Sequence, residues 1–547
     1  MIFHRLYAGV IAGHLVSEVA GAAVADAAAQ SQKPLEKIQH DHENPFNGNL
    51  DKFVNDVMDR WKIAGMSVSV IDGESVYAKG YGYATLPDIK ATPETLYFAG
   101  STSKAFTAAT LAHMIDSKNF SALADGWDTP ISSIIRDDFV MYDSWLTDNI
   151  NLNDAVSHRT GMPRHDTAWP RYNPDGSVLG AANVVRTLRH LKPSAPPRTT
   201  WQYCNFMYVV LGHVVETLTG QWLGDAMRER IWAPLGMTAT FGDTEEAIAA
   251  PEHLASGYYW DFDKAEQHEM PVDRARVYGG AGLIISTVAD YSKWVRCLLD
   301  ETEPFSKNTH QDIRTTRMLT SLKEETGVGD RTYALAWNKK THHGEVVYKH
   351  GGTTLACSTQ VYWLPRLKYG VVAMANSGSA NAAEDEIVWR LIEDKLNIPK
   401  HQRYNISHSL EESDRKLKKE IENAVDIFYP DRPETRMPSS LNNTQVTGKY
   451  YDPAYGYLDI LETDVSGNTM LVANRSNTIF PHELRFRHIT GNYWLADVYT
   501  HDVGAITGSW GGLFNVGVDG EAIGIEIRQT PPGEALGEGP VFYKRVN

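Results

Sequence analysis

The feature that most constrains this chain is a change of hydrophobic period near residue 440. Before it, apolar residues recur at helical spacing and mix with short β-rich runs. After it, aromatic and β-branched residues alternate with polar ones between turn signals. A 3.6-residue period and a 2-residue period bury differently shaped faces, so one continuous layer cannot serve both stretches. Two folding units are therefore expected, and 547 residues give each enough chain for a core of ordinary size.

Between the two textures, the run SLEESDRKLKKEIENAVDIF reads as a charged helix that Pro430, Pro433 and Pro438 stop. Residues 401–438 are accordingly expected to be a linker. Residues 49–400 are expected to form an α+β or α/β body, and residues 439–547 an antiparallel barrel or sandwich. Within the body, Met66–Ile71 alternates, turns at Asp72-Gly73 and resumes at Val76–Ala78, the pattern of a hairpin. Ala105–Ile115 (AFTAATLAHMI) reads as a buried helix. Gln360–Trp363 and Tyr369–Ala375 read as strands joined by a turn containing Pro365. In the tail, Val516–Ile527 predicts a hairpin about Asp519-Gly520, with Ile523, Ile525 and Ile527 on one face.

Residues 1–48 are an N-terminal extension with two open readings. A basic start at Met1–Arg5, an apolar stretch over Leu6–Val24 and the small residues Ala23-Val24-Ala25 fit a secretory signal. His14 and Glu18 interrupt that stretch, which fits a helical extension on a cytoplasmic protein equally well and argues against a membrane-spanning helix. The sequons at Asn119, Asn405, Asn442 and Asn474 are about as many as chance supplies at this length.

The net charge of −16 opposes sequence-independent binding to nucleic acid, and no basic stripe is interleaved with aromatics. Three cysteines, Cys204, Cys297 and Cys357, allow at most one disulfide. His40, His42, His342 and His343 complete no metal-ligand spacing, so neither a metal nor a cofactor is expected.

Ser101-Thr102-Ser103-Lys104 opens the Ala-rich helix. An S-x-x-K spacing puts hydroxyl and amine on one helical face. A seryl hydroxyl needs a base to become a nucleophile, and a lysine serves once burial or nearby positive charge leaves it neutral. The N–H groups at the helix start, that of Ser101 included, suit a developing oxyanion. Ser413-Asp414-Arg415-Lys416 repeats the spacing inside the charged linker helix, so the motif alone discriminates poorly.

Two later segments add chemistry. Tyr203-Cys204-Asn205 precedes an apolar helix. A phenol lowered by a neighbouring lysine ammonium can shuttle the serine proton, and an amide at Asn205 can orient Lys104 and a substrate carbonyl. Asn205 as a plain helix cap reads equally well. In Lys349-His350-Gly351-Gly352-Thr353, two glycines at a strand edge permit close approach of substrate to backbone, with the Thr353 N–H completing an oxyanion hole; a simple turn before the strand is the alternative.

The ordered set S-x-x-K, Y-x-N and H-x-G resembles the serine β-lactamase and penicillin-binding-protein superfamily, within it the class C β-lactamase-like group of D-stereospecific peptidases, esterases and acyltransferases. Gly80–Tyr83, Val156–Pro163, Pro234–Met237 and Gly279–Leu283 followed by Ser286-Thr287 and Asp290 add to the likeness, which spans roughly residues 50–395. The tail resembles the lipocalin-like β-domains that some members append. The resemblance implies an α+β fold of antiparallel sheet flanked by helices plus a C-terminal antiparallel β-barrel. It implies Ser101 as nucleophile, Lys104 as base and Tyr203 as second proton shuttle. Asn205, His350, Gly351, Gly352 and Thr353 would line the substrate and oxyanion.

The third motif departs from the β-lactamase pattern, where lysine is usual at its first position. Here Lys349 stands one place early and His350 holds the position, which moves the expectation from penicillin hydrolysis toward esterase or amidase chemistry. Cys204 and Cys357 beside the motifs would narrow the pocket or pair. Trp510-Gly511-Gly512 imitates a third motif but falls too late in the chain. The function expected is hydrolysis of a small ester, amide or lactam through an acyl-serine. Acyl transfer onto a specialised-metabolite alcohol or amine and D-amino-acid peptidase action are alternatives, and a non-catalytic scaffold is a third. The partner expected is a small acyl substrate, with no nucleic acid and no stable membrane insertion; a homo-oligomer is left open.

Overall fold

The computed structural model describes residues 44–261, 264–321, 329–404, 406–465, 467–501 and 504–546. Most of the N-terminal extension, including the expected signal segment and its His40 and His42, lies outside the described residues. The fold is α+β, with a helix-flanked antiparallel sheet and a closed antiparallel barrel.

The body is organised on a sheet of nine strands among the described residues. Strand Gly65–Asp72 sits inside it, paired on one side with Ser75–Thr85 and on the other with Tyr369–Ala375. Ser358–Leu364 and Glu345–Thr353 follow outward from Tyr369–Ala375. The hairpin about Gly73 forms as expected because Gly73 supplies the left-handed turn conformation, at φ 58°. Along Gly65–Asp72, alternation sorts the two faces. Met66, Val68 and Val70 pack toward helices Gly48–Trp61 and Asn381–Lys395. Ser67 and Ser69 point the other way, where Ser67 meets Tyr97 Oη at 3.0 Å and Ser69 accepts from Ser292 at 2.9 Å. Both faces are thus covered by helices, and the polar positions are buried only because they are hydrogen-bonded.

Helix Ser103–Ser117 carries the expected AFTAATLAHMI segment. It is buried nearly all round, which explains its many small residues: alanines let Asn205–Thr219 and Lys307–Arg314 close on it, while Phe106 stacks on Trp294 of Val288–Asp300. Lys104 lies in this helix with none of its surface exposed.

After residue 400, helices Ile406–Glu422 and Ala424–Phe428 lead to eight strands closed into a barrel, from Gly448–Asp452 to Val541–Val546. Leu458, Ile460, Phe486, Phe514, Ile525 and Ile527 fill its interior. Ile523 departs from the expected face and is 48% exposed, because it stands at the hairpin tip beside a register shift at Asn515/Val516, beyond the packed layer. The Trp510-Gly511-Gly512 imitation is part of the barrel strand Ala505–Val516, where the Gly512 N–H donates to Tyr429 Oη at 2.7 Å. Barrel and body share one continuous apolar core, in which Trp169 of the body and Ile479 of the barrel both take part.

Among the described residues, no helix is long and apolar enough to cross a membrane. No group of three or more His, Cys, Asp or Glu side chains there is placed to hold a metal ion. Cys204, Cys297 and Cys357 are separately buried as free thiols, so Cys204 and Cys357 do not pair.

Candidate active site

The chain reaches Ser101 through a tight turn. Gly100 takes a left-handed φ of 52°, and Gly100–Thr102 forms a single 3-10 turn before helix Ser103–Ser117 begins. Ser101 therefore stands one turn ahead of the regular helix. Thr102 Oγ1 donates to the Ala99 carbonyl at 2.9 Å and Ile284 N–H donates to Ser103 Oγ at 3.0 Å, which fixes the turn from both sides.

Lys104 Nζ is hydrogen-bonded to Ser101 Oγ at 2.9 Å, and it donates to the Ala281 carbonyl at 2.8 Å. That carbonyl reaches the amine because Gly280 lets the 275–281 segment touch helix Asn205–Thr219. A Cβ at Gly280 would lie 2.2 Å from the Tyr208 carbonyl oxygen. Burial holds the Lys104 ammonium well below its usual pKa, and the nearby Arg164 cation adds to the effect. Both effects favour the neutral amine. A neutral amine still has an N–H for Ala281 and a lone pair to accept the Ser101 proton.

Tyr203 hydrogen-bonds Ser101, and its ring lies 4.9 Å from Lys104 Nζ. Its phenol departs from the expectation of a lowered pKa: burial pushes it above the usual value. The burial that disfavours an ammonium at Lys104 also disfavours a phenolate at Tyr203. Tyr203 is thus a proton donor at rest. His158 lies against it with ring centroids 4.3 Å apart and planes tilted by 36°, held by Cys204 N–H donating to His158 Nδ1 at 3.1 Å.

Asn205 begins helix Asn205–Thr219 and its side-chain amide donates to Asp166 Oδ1 at 2.9 Å. Asp166 Oδ2 in turn accepts from Arg164 Nε at 2.7 Å. This strut sets the Arg164 guanidinium 5.1 Å from the Tyr203 ring. Neither Arg164 nor Asp166 was singled out from the sequence. Arg164 directly follows the quoted segment Val156–Pro163, which was the available signal; Asp166 carried none.

The third motif lies on strand Glu345–Thr353. A Cβ at Gly352 would fall 2.0 Å from the Ala99 carbonyl oxygen and 3.0 Å from Ser101 N, so the strand end and the Gly100–Thr102 turn meet backbone to backbone. Gln360 donates to Asn381 Oδ1 at 2.9 Å, and Asn381 donates to Thr353 Oγ1, fixing the last residue of the motif. His350 is buried and neutral, its pKa lowered to about 3 by burial and by Lys104. Its Nδ1–H donates to the Gly351 carbonyl at 2.7 Å, which leaves Nε2 to accept from Tyr333 Oη at 3.2 Å. Lys349 turns to the opposite face and donates to Tyr362 Oη at 2.8 Å.

These groups surround a cavity of about 180 Å³. Ser101, Tyr203, Asn205, Gly351 and Thr353 line it, while Lys104, His350 and Gly352 stand behind that lining. Arg164, Trp169, Tyr278, Ile479 and Phe480 also line it, the last two from the barrel. The decoy Ser413 instead donates to the Ser409 carbonyl at 3.0 Å on an exposed helix, where Lys416 is 59% exposed and keeps its solvent.

The β-lactamase family model matches residues 50–394, the whole of the sheet-and-helix body up to its last long helix. An unguisins hydrolase, ungD', of Aspergillus campestris is 35% identical over 508 residues, covering 92% of this chain and 93% of its own, so the likeness includes the barrel. The octameric penicillin-binding protein homologue from Pyrococcus abyssi superposes with a TM-score of 0.57 at 19% identity, over 90% of this chain and 99% of its own. The D-amino acid amidase from Ochrobactrum anthropi, at 20% identity, superposes with a TM-score of 0.51 over 64% of this chain and 99% of its own. The chain belongs to the β-lactamase family and is a serine hydrolase within it.

Proposed function

We propose that the protein hydrolyses a small amide, ester or lactam through an acyl-Ser101 intermediate, with amides first. The observation that carries this reading is the buried Lys104 amine 2.9 Å from Ser101 Oγ, with Tyr203 hydrogen-bonded to the same hydroxyl. Lys104 takes the seryl proton as Oγ attacks the carbonyl carbon. The tetrahedral oxyanion is received by the N–H groups of Ser101 and Thr353, which the Gly352 contact brings together. Tyr203 gives its proton to the leaving nitrogen or oxygen as the C–N or C–O bond breaks, and recovers one from the Lys104 ammonium. In the second half, Lys104 takes a proton from a water that attacks the ester carbon, and Tyr203 gives its proton to Ser101 Oγ as the acyl C–O bond breaks, recovering one from the Lys104 ammonium.

A relative that covers 92% of this chain is named a hydrolase, which supports water as the acyl acceptor. The third motif argues against penicillins as best substrates. The neutral His350 and the averted Lys349 leave no cation at the place where β-lactamases usually carry one. A panel of p-nitrophenyl esters, D-amino acid amides and nitrocefin tests the reading. Amides and esters should be turned over with burst kinetics or an acyl adduct, and nitrocefin at least about tenfold less efficiently, a gap of the size one lost charged contact produces. Nitrocefin as the best substrate would overturn it.

A further inference from the structure

We propose that the barrel is a specificity element: its Ile479-Phe480 loop forms an apolar subsite beside Ser101 that selects substrates bearing a bulky apolar group next to the scissile bond. This rests on the acyl-Ser101 reading and adds the class of group that flanks the bond.

The loop joins barrel strands Asn468–Arg475 and His482–Thr490. It is built onto the body rather than hanging over it. Arg475 is buried and donates to the Thr167 carbonyl at 3.0 Å. Ile479 N–H donates to the Trp169 carbonyl at 3.1 Å, and Pro170 pairs with Thr478 in strand fashion. Asn477 Oδ1 accepts the N–H groups of Arg171 at 3.2 Å and Tyr172 at 3.0 Å. The segment so clamped also carries Arg164 and Asp166. Barrel and catalytic strut are therefore one assembly.

The loop is also stiffened from within. The Phe480 carbonyl accepts from Thr478 Oγ1 at 2.8 Å and from His482 Nδ1 at 2.8 Å. Phe480 packs with Met270 and Leu355, while Ile479 is only 2% exposed. Together with Trp169 and Tyr278, the two residues give the cavity an apolar share of its lining beside the polar groups of Ser101, Arg164, Tyr203 and Asn205. A preformed wall of this kind, with a few convergent polar groups, is the ordinary design of a small-molecule site. Its volume of about 180 Å³ suits one side chain rather than an extended ligand.

The test uses the full chain and two substrate series. One varies the acyl group of p-nitrophenyl esters from acetyl to hexanoyl and phenylacetyl. The other varies the amine side of amides from ammonia to phenethylamine. The variants are Phe480→Ala, the milder Phe480→Leu, and Ile479→Ala, each checked for folding by circular dichroism. The readout is the ratio of kcat/KM for bulky over small members, which cancels any uniform loss. In at least one series the ratio should change about tenfold or more, the scale on which pockets discriminate methylene groups. Ratios within twofold of wild type in both series, for all variants that fold, would overturn the subsite. An absent acyl adduct on wild-type Ser101 would instead remove the acyl-serine reading, so the two failures are distinguishable.

Discussion

Lys104 Nζ touches Ser101 Oγ at 2.9 Å while its other contact, the Ala281 carbonyl, can only accept a proton. Ala281 accepts one N–H, and a neutral Lys104 can turn its lone pair to the seryl hydroxyl. A change that keeps a cation but removes the base should therefore be as damaging as a change that removes both. Lys104→Arg and Lys104→Met are each expected to lose about 10²–10⁴-fold in kcat/KM, the range for a missing general base. Steady-state kinetics check this, and retention of more than a tenth of the rate in Lys104→Arg would count against a base role.

The pH dependence of the same pair has a definite sign. The competent form is neutral Lys104, so kcat/KM should rise with pH through its lowered pKa and level off well below 10.5, the usual lysine value. Arg164 lowers that pKa and Asp166 raises it. Arg164→Met should then move the acidic limb to higher pH and Asp166→Asn to lower pH, each by about one unit or more. Profiles that shift together, or not at all, would separate these residues from Lys104.

Gly352 tests the backbone contact. A methyl at this position meets the Ala99 carbonyl oxygen at 2.0 Å, and neither partner is a side chain that can swing away. Gly352→Ala should push strand Glu345–Thr353 off the nucleophile turn and displace the Thr353 N–H. The expected cost is about 10²-fold or more in kcat, as for removal of one oxyanion donor. Gly344→Ala is the control on stability alone, since a methyl there meets nothing although its φ of 82° is strained.

A buried carboxyl away from the reaction gives a stability prediction. Glu384, in the first turn of helix Asn381–Lys395, has no exposed surface, and burial holds its pKa well above 4.5. Because the folded pKa is raised, its contribution is full below 4.5 and is lost as pH rises toward the folded value. Glu384→Gln cannot ionise, so its unfolding free energy in urea should gain on wild type as pH rises through that window, by up to about 1.4 kcal/mol per pH unit. Parallel curves for the two proteins would show that Glu384 is ionised in the fold.

How far the sequence reaches can be judged residue by residue. Ser101 separates from its decoy Ser413 because an Ala-rich apolar helix follows one and a charged helix surrounds the other. That difference becomes zero exposure for Lys104 and 59% for Lys416. The hairpin at Gly73, helix Ser103–Ser117 and the barrel texture were legible for the same local reasons. The direction of the Tyr203 shift is not legible because it is set by burial of the phenol, which no local spacing shows. The Ala281 carbonyl is a backbone group and has no side-chain signature. Arg164 and Asp166 act through a hydrogen-bond chain to Asn205, and Ile479 and Phe480 reach the cavity from the second folding unit. None of these juxtapositions has a local period or spacing, so only the tertiary fold displays them.

The central claim is that Ser101 is the acyl-accepting nucleophile, and covalent trapping tests it most directly. Folded wild-type protein is incubated with a fluorophosphonate, digested, and its peptides are weighed by mass spectrometry. The account predicts one adduct on the peptide carrying Ser101, slowed by Lys104→Met and abolished by Ser101→Ala. No adduct on folded protein, or an adduct on another serine with Ser101 unmodified, would contradict it.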